Sequence, residues 1–214
     1  MEQLPAARLS PLANQVDNVL AQCGYEIRRG IDAIDDAVVG YGGLFEPETT
    51  NNEIRAAVEE VLANNTPAAT DGVLGSGGCD LVLYVDGSSR GNPGPSGAGA
   101  VIQVGDEGII NLGRPVGSNT ENNLAEYAAL QMGLEVALTR CNPKAVEVRI
   151  DSMTVINDIW GDSDGLPSAD VFRDTIVDHV SSLPKCEWTH LADSDLNPAD
   201  ARATVGADIA ALGP

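Results

Sequence analysis

Apolar stretches separated by glycine-rich turns run through the second half of the chain. Five of them have the length and composition of strands: residues 80–86, 97–104, 108–116, 145–150 and 185–191. The first three follow one another through short glycine-containing connections, which predicts an antiparallel meander. A helical pattern separates the third strand from the fourth, as a parallel crossover requires. Two helical segments precede the fifth strand and a helix follows it, so the pattern predicts an α/β fold.

The first part of the chain has a different pattern. Apolar residues recur at helical spacing over residues 11–39, and again after a turn. We therefore predict a small helical region over residues 1–63. Residues 64–79 are rich in Gly, Ala, Thr and Asn, which indicates a flexible linker to a domain over residues 80–214.

Acids directly follow two of the predicted strands. Asp86 comes after the apolar run 81–85, and Asp151 comes after the fourth strand. If these strands are parallel neighbours, their acids cannot both lie on a solvated face. Clustered carboxylates repel one another unless a cation joins them. The placement therefore indicates a cation site, although any single acid among 32 Asp and Glu is most often a surface charge.

Two further acids lie on predicted helices. Glu126 has apolar neighbours spaced for one buried face, so we expect it to point inward or to a helix edge. Near the C-terminus, Asn197 is the expected N-cap of a helix with Pro198 at its first position and Asp200 in its first turn. The chain thus offers four carboxylates for one site.

The run DGSSRGNPG, residues 86–94, places a glycine-rich turn beside the first acid. Exposed backbone N–H groups at glycines let a polymer backbone approach closely, and a strand-end carboxylate suits a metal. The combination is typical of a site that cleaves nucleic acid. Taken alone, an Asp-Gly pair after a strand is usually only a turn.

The four acids occur in the motifs DGSSRGNPG, NNLAEY, IDSMTVIND and NPAD, and this order resembles type 1 ribonuclease H. That family cuts the RNA strand of RNA–DNA hybrids, and the resemblance covers about residues 80–212. It implies a five-stranded mixed sheet with helices on both faces, here preceded by the small helical region. It also implies an endoribonuclease whose products carry 5′-phosphate and 3′-hydroxyl ends.

The resemblance implies two Mg²⁺ ions about 4 Å apart at the scissile phosphate, with Mn²⁺ as a possible substitute. In that arrangement Asp86 bridges both ions. Glu126 and Asp151 lie on the leaving-group side, and Asp200 lies on the nucleophile side. One ion activates the attacking water, and the other stabilises the departing 3′ oxygen.

By the same resemblance, five residues line the minor groove of the substrate: Gly87, Ser88, Asn92, Asn122 and Asn123. Their contacts with sugars would read the 2′-hydroxyl that separates RNA from DNA. Asn92 could instead be a turn residue, and Asn122 and Asn123 could cap a helix. Capping and substrate contact can coexist.

Three departures from the family pattern affect the site. Glu121 stands where a threonine usually helps to bind a phosphate of the DNA strand, so either the helix start shifts to use Thr120 or the DNA strand is held weakly. The spacing from Asn197 to Asp200 is one residue short, which makes Asp195 the alternative fourth acid.

The third departure concerns histidine. Many family members carry a loop histidine before the last acid, whereas His190 falls at the end of the fifth strand. We expect a structural role for His190 and an ordinary helix-surface position for His179.

A net charge of −20 is opposite to that of most nucleic-acid-binding proteins. In molar salt the Debye length falls to about 3 Å, and surface repulsion is screened. An acidic chain whose only lysines are Lys144 and Lys185 resembles proteins of halophiles with high internal salt. We therefore expect a protein that is unstable or inactive in dilute buffer.

Four scattered cysteines without CxxC spacing argue against a zinc site or a disulfide framework. With no signal peptide or membrane-spanning run in the sequence, we expect a cytoplasmic protein without membrane contact. The helical region is poor in the basic and aromatic residues of a hybrid-binding module, so a protein partner or self-contact is the expected role. Docking onto the catalytic domain is the alternative.

Two other functions stay open at the sequence level. One is a non-catalytic nucleic-acid-binding or scaffold module on the same fold, which the loss of an acid would favour. The other is an active enzyme with broader specificity for RNA–RNA duplexes or RNA–DNA junctions, which Glu121 suggests.

Overall fold

The computed structural model describes residues 3–64, 78–105, 108–161, 166–192 and 194–213. The strands are β1 Cys79–Ser89, β2 Gly94–Val104, β3 Gly108–Thr120, β4 Pro143–Ile150 and β5 Cys186–His190. The helices are α1 Pro11–Gln22, α2 Ile27–Ala37, α3 Asn51–Ala63, α4 Asn122–Cys141, α5 Met153–Trp160, α6 Asp170–Ser182 and α7 Asp200–Ala210, with a 3-10 turn at Pro167–Ala169. Most of the predicted linker, residues 65–77, lies outside the described residues.

The five strands form one mixed sheet in the order β3-β2-β1-β4-β5. Strands β1, β2 and β3 pair antiparallel, whereas β4 is parallel to both β1 and β5. The predicted α/β fold is confirmed. The first strands are longer than predicted, because β1 stays paired with β2 through the glycine-rich turn as far as Ser89 opposite Ser96. Since β1 and β4 are parallel neighbours, Asp86 in the last part of β1 and Asp151 directly after β4 lie toward the same end of the sheet.

Helices α4 and α7 cover opposite faces of the sheet. A Cβ at Gly133 of α4 would contact Leu83 and Ala100, whereas one at Gly99 would overlap the backbone of α7 at Ala199 and Ala203. Neighbouring strand residues point to opposite faces, so Ala100 faces α4 while Gly99 admits α7. Backbone-to-backbone packing of this kind fixes the position of α7, and with it the acid at its first residue.

The N-terminal region pairs with β3, the strand at the edge of the sheet. The Ala7 N–H donates to Val116 O at 2.7 Å, and the Ser118 N–H donates to Arg8 O at 3.0 Å. Farther along β3, Gly113 N–H donates to the carbonyl of Tyr25. These bonds satisfy backbone groups that an open sheet edge would leave exposed.

Helices α1 to α3 share one hydrophobic core with the sheet. The long helical pattern at residues 11–39 is two helices, because Gly24 and Tyr25 both have positive φ angles, 62° and 60°, which break the helix. The division of the chain into a separate N-terminal region, a linker and a catalytic domain stays a prediction.

A buried ion pair links α1 to β3. Arg114 Nη2 lies 3.2 Å from Asp17 Oδ2, and the two side chains are 1% and 0% exposed. The same guanidinium donates to Leu4 O at 2.9 Å and lies 5.0 Å from the ring centre of Tyr25. The contacts of Arg114 thus tie the N-terminal region to the sheet from within the core.

Across the described residues, no helix combines the length and apolar character needed to cross a bilayer. Within the described residues, Cys23, Cys79, Cys141 and Cys186 form no disulfide.

Candidate active site

Three carboxylates meet near the carboxyl ends of β1 and β4, the neighbouring parallel strands of the sheet. One oxygen each of Asp86, Glu126 and Asp151 lies within 4.8 Å of the other two. Asp86 is 7% exposed and Glu126 is 3% exposed, whereas Asp151 is exposed. The structure therefore brings together three of the four acids identified in the sequence, with two of them buried beneath the third.

Burial and mutual repulsion oppose ionisation of the two buried acids. Burial, followed by the charges of Asp151 and Asp200, raises the pKa of Asp86 to about 7. Burial, followed by the charges of Asp86 and Asp151, raises the pKa of Glu126 well above its usual value. In both cases a hydrogen bond from the Gly87 N–H opposes the pKa rise only in part. The cluster therefore retains protons unless a cation replaces them.

One carboxylate oxygen of the cluster lacks a partner. Glu126 Oε2 is buried and accepts no hydrogen bond from any described residue, while Oε1 lies 3.5 Å from Nδ2 of Asn122. A buried, unpaired carboxylate oxygen is costly unless a cation or proton binds it. Carboxylate oxygens around a partly open position suit a hard divalent cation such as Mg²⁺ or Mn²⁺. The donor set and the unpaired oxygen therefore fit a divalent metal.

Gly87 allows β1 to approach α4 closely enough to form the cluster. A Cβ at this residue would lie 2.7 Å from Glu126 N and 2.9 Å from the backbone carbon of Ala125. No larger residue fits without moving the helix. The glycine of the DGS motif thus places Glu126 against Asp86, in addition to any contact it makes with substrate.

Asp200 is the first residue of α7, and its charge contributes to the raised pKa of Asp86. It does not join the 4.8 Å group found among the described residues. The alternative acid, Asp195, is exposed and accepts a hydrogen bond from the Ala192 N–H at 2.9 Å. Asp200 is therefore the fourth acid whose charge acts on the cluster.

The predicted N-cap role of Asn197 is wrong. The N-cap of α7 is Ala199, so the helix begins two residues later than expected. The Asn197 side chain instead donates through Nδ2 to the carbonyl of Val85 at 2.9 Å and accepts from the Ala199 N–H at 3.0 Å. This asparagine ties the start of α7 to the residue before Asp86, a contact that local sequence signals do not predict.

The residues expected along the minor groove have local contacts of their own. Asn92 Oδ1 accepts a hydrogen bond from the Asn122 N–H at 3.2 Å and so caps α4 from another loop. Ser88 Oγ lies 3.5 Å from Thr204 Oγ1 of α7. Asn123 is half-buried. Asn92 thus positions the helix that carries Glu126, and Ser88 contacts the helix that carries Asp200.

The start of α4 resolves the alternative at residues 120 and 121. Glu121 is the N-cap residue and is exposed, without a side-chain capping hydrogen bond. Thr120 ends β3, is 9% exposed, and its Oγ1 is buried. The helix does not begin earlier in a way that would expose Thr120. The exposed side chain at the start of α4 is therefore the carboxylate of Glu121, where the family usually has a phosphate-binding threonine.

The two histidines have different surroundings. His190 is exposed, and its Nε2 lies 3.1 Å from the backbone oxygen of Asp151. The prediction of an ordinary surface position for His179 is wrong, because its side chain is 19% exposed and Nε2 lies 2.8 Å from Oε2 of Glu135 on α4. A helix pattern alone does not show that α6 packs this residue against α4.

Comparisons with known proteins agree with this geometry. A family model described as reverse transcriptase-like matches residues 84–206. Ribonuclease HI of Halobacterium salinarum is 42% identical over 78 residues, which are 36% of this chain and 39% of the relative. The match thus spans well under half the length of that curated relative.

Solved structures show the same likeness over more of the chain. The crystal structure of RNase H1 from the halophilic archaeon Halobacterium salinarum has a TM-score of 0.53 and 32% identity, covering 60% of this chain and 98% of that chain. LC11-RNase H1 in complex with an RNA/DNA hybrid has a TM-score of 0.53 and 27% identity, covering 60% of this chain and 96% of that chain. Because the family model spans more than half of the chain, including all four acids, the chain belongs to the reverse transcriptase-like family, and its resemblance to type 1 ribonuclease H is confirmed.

Proposed function

We propose that the protein is an endoribonuclease that hydrolyses the RNA strand of RNA–DNA hybrids in a metal-dependent reaction. The observation that carries this proposal is the convergence of Asp86, Glu126 and Asp151 within 4.8 Å, with one buried oxygen of Glu126 unpaired. Similarity to a ribonuclease H1 in complex with an RNA/DNA hybrid supports the choice of substrate.

Asp86, Glu126, Asp151 and Asp200 would hold two Mg²⁺ ions, or Mn²⁺ in their place. When bound, the ions supply Lewis-acid activation of water and stabilisation of the leaving oxygen, giving 5′-phosphate and 3′-hydroxyl products. Asp86 and Glu126 are held rigidly by burial, so they set the positions of the ligand oxygens. The exposed Asp151 and the helix-start Asp200 would close the site from the solvent side.

The N-terminal end of α4 would meet the substrate beside the acids. Asn122 and Asn123 begin this helix, and Asn92 holds its first N–H, so all three lie at one end of the sheet. Their amides, with the Gly87 and Ser88 backbone, would contact sugars in the minor groove and read the 2′-hydroxyl.

Glu121 favours a second candidate with the same chemistry and broader specificity. Its exposed carboxylate at the start of α4 would repel a DNA-strand phosphate. Weak selection for the DNA strand would allow cleavage of RNA–RNA duplexes or RNA–DNA junctions. A purely binding or scaffold function has no comparable support, because the sequence retains all four acids.

The test is cleavage of an end-labelled RNA–DNA hybrid in molar KCl with Mg²⁺ or Mn²⁺, comparing the wild type with Asp86→Asn. We expect RNA-strand products that require metal and vanish in the variant. A panel with RNA–RNA duplexes and junctions separates the two specificities. A folded protein that cuts no RNA-containing duplex with either metal would overturn the catalytic proposal.

Asp200→Asn and Asp195→Asn form a matched pair for the fourth acid. Both remove one exposed carboxylate from the same segment. We expect Asp200→Asn to abolish cleavage and Asp195→Asn to retain it. The reverse result would assign the fourth ligand to Asp195.

High salt is part of the proposal. The net charge of −20 would oppose both folding and substrate approach in dilute buffer. We propose that the protein is adapted to a high-salt environment, as is the halophilic archaeon that supplied the similar RNase H1.

A further inference from the structure

A surface pocket lies at the end of β3, where the N-terminal segment joins the sheet. Its lining residues are Arg8, Leu9, Ser10, Pro11, Ser118 and Asn119, and its volume is about 490 Å³. Arg8 is exposed, and its backbone is fixed beside Ser118 by the hydrogen bond that its carbonyl accepts. The guanidinium therefore projects from a rigid position on the edge of the sheet.

Arg8 is one of four basic residues that have no carboxylate within 4.0 Å among the described residues, together with Arg55, Lys144 and Arg202. Eight of the 12 Lys and Arg residues have a carboxylate within 4.0 Å: Arg28, Arg29, Arg90, Arg114, Arg140, Arg149, Arg173 and Lys185. Within the described part of the chain, Arg8 has no such partner. An exposed arginine without an acid partner, in a chain of charge −20, is free to bind an external anion.

The pocket lies at the end of β3 that leads into α4, where the proposed substrate contacts begin. Asn119 precedes the first residue of α4 by only three positions, and that residue is itself proposed to contact sugars. From strand spacing and rise, Ser118 lies about 20 Å from Asp86, two strands away and five residues along β3. Phosphates follow one another about every 3.4 Å along a strand, so a duplex centred on the acids would reach Arg8 after about six nucleotides.

We propose that Arg8 and Asn119 bind a backbone phosphate of the nucleic-acid substrate. The inference rests on the proposed function for the identity of the substrate. The guanidinium would supply the charge and the Asn119 amide a neutral donor, at a place where Glu121 repels phosphate closer to α4. Residue 8 lies outside the segment matched by the family model, so this contact is a feature of the N-terminal region of this chain.

In high salt, a direct contact with a phosphate contributes a larger share of the binding free energy. When the Debye length is about 3 Å, long-range attraction is lost and only groups in direct contact contribute. The N-terminal region thus has a role in substrate binding through one placed arginine, without the general basic character of a nucleic-acid-binding module.

The test measures hybrid binding by fluorescence anisotropy across a series of KCl concentrations in which circular dichroism shows folded protein. Asp86→Asn with Mg²⁺ is the background, so that binding is measured without cutting. In this background we expect Arg8→Ala to weaken binding of a long hybrid about tenfold. It should also reduce the magnitude of the negative slope of log K, where K is the association constant, against log[KCl] by about 1.

Several controls separate a phosphate contact from a structural effect. Arg55→Ala removes a half-buried arginine of α3 that has no carboxylate partner and bonds only Asn52 among the described residues, and it should change neither affinity nor slope. Arg8→Lys should keep the slope of log K against log[KCl]. Asn119→Ala should lower the affinity without changing that slope. A hybrid that ends before reaching Arg8 should bind wild type and Arg8→Ala equally.

The outcomes also separate this inference from the proposed function. If the wild type cuts hybrids but Arg8→Ala binds the long hybrid like Arg55→Ala, the phosphate site is wrong and the function stands. If the wild type cuts nothing while binding depends on Arg8 with the expected slope, the site stands and the catalytic proposal falls.

Discussion

The side-chain amide of Asn197 donates a hydrogen bond to the carbonyl of Val85, at 2.9 Å. Val85 immediately precedes Asp86, and Asn197 stands three residues before Asp200. One hydrogen bond therefore couples the ends of two elements that carry acids of the proposed site, although the bonded residues are 112 positions apart.

Replacing Asn197 with alanine should impair catalysis more than folding. Loss of its two hydrogen bonds, to the Val85 carbonyl and from the Ala199 N–H, should reduce the free energy of unfolding by about 2 kcal/mol. A displacement of Asp200 by about 1 Å should reduce kcat about 100-fold. Steady-state cleavage kinetics and urea unfolding in molar KCl measure the two effects. Asn52→Ala, which removes an exposed asparagine of α3, is the control and should change neither. A wild-type kcat for Asn197→Ala would show that the bond does not position the acid.

Gly87→Ala should separate the two buried acids. The added methyl would lie 2.7 Å from Glu126 N, so α4 must move away from β1. We expect a loss of about 1–3 kcal/mol in the free energy of unfolding and a kcat reduced at least about 100-fold.

Gly108→Ala is the matched control for this substitution. Among the described residues, nothing lies within 4 Å of a Cβ at Gly108, which also stands on a strand of the sheet. Both proteins would be compared by chemical unfolding and by cleavage of the same hybrid. Equal activity of the two variants would contradict the role of Gly87 in placing Glu126.

Stability of the metal-free protein should fall as pH rises. The pKa of Asp86 is about 7 in the folded protein and near 3.9 when unfolded, so the folded state binds more protons between these values. The free energy of unfolding therefore decreases from about pH 4 to about pH 7, by at most about 4 kcal/mol for this group. The raised pKa of Glu126 acts in the same direction.

Urea unfolding in molar KCl with a chelator, at about pH 4.5 and about pH 8, measures this dependence. Asp86→Asn should be the more stable protein at the higher pH, because the amide carries no charge to bury. Added Mg²⁺ should stabilise the wild type mainly at the higher pH, where protons no longer compete for the carboxylates. A wild type equally stable at both pH values without metal would contradict the burial of ionisable acids at this edge.

Much of the fold and three of the site acids follow from the sequence for a simple physical reason. Apolar runs specify strands and helices locally. Neighbouring parallel strands place their carboxyl ends at the same end of the sheet. The positions of Asp86 and Asp151 need no other information. The burial of Glu126 follows from the apolar residues around it on one helix.

Features that depend on distant partners were not predictable in this way. Asn197 matches a helix N-cap locally, but its amide bonds a strand that lies more than 100 residues earlier. Arg114 looks like an outward-facing residue of an edge strand, and only the docking of α1 makes it buried. His179 likewise becomes partly buried because α6 packs on α4. In each case the deciding contact is between elements, and no local pattern encodes it.

The buried pair of Asp17 and Arg114 should make folding of the N-terminal region and the sheet cooperative. Removing only the acid leaves a guanidinium that is 1% exposed without its counter-charge, which should cost about 3–5 kcal/mol of unfolding free energy. Asp17→Leu combined with Arg114→Met replaces the pair with apolar groups and should recover most of that loss. Urea unfolding of the wild type, both single variants and the double variant, followed by circular dichroism in molar KCl, gives the coupling energy directly. Arg28→Ala, which breaks an exposed pair with Asp32 on α2, should change stability by less than about 0.5 kcal/mol. If Asp17→Leu were as stable as Arg28→Ala, or unfolded in two separate transitions with the sheet intact, the N-terminal region would be an independent unit and not part of the shared core.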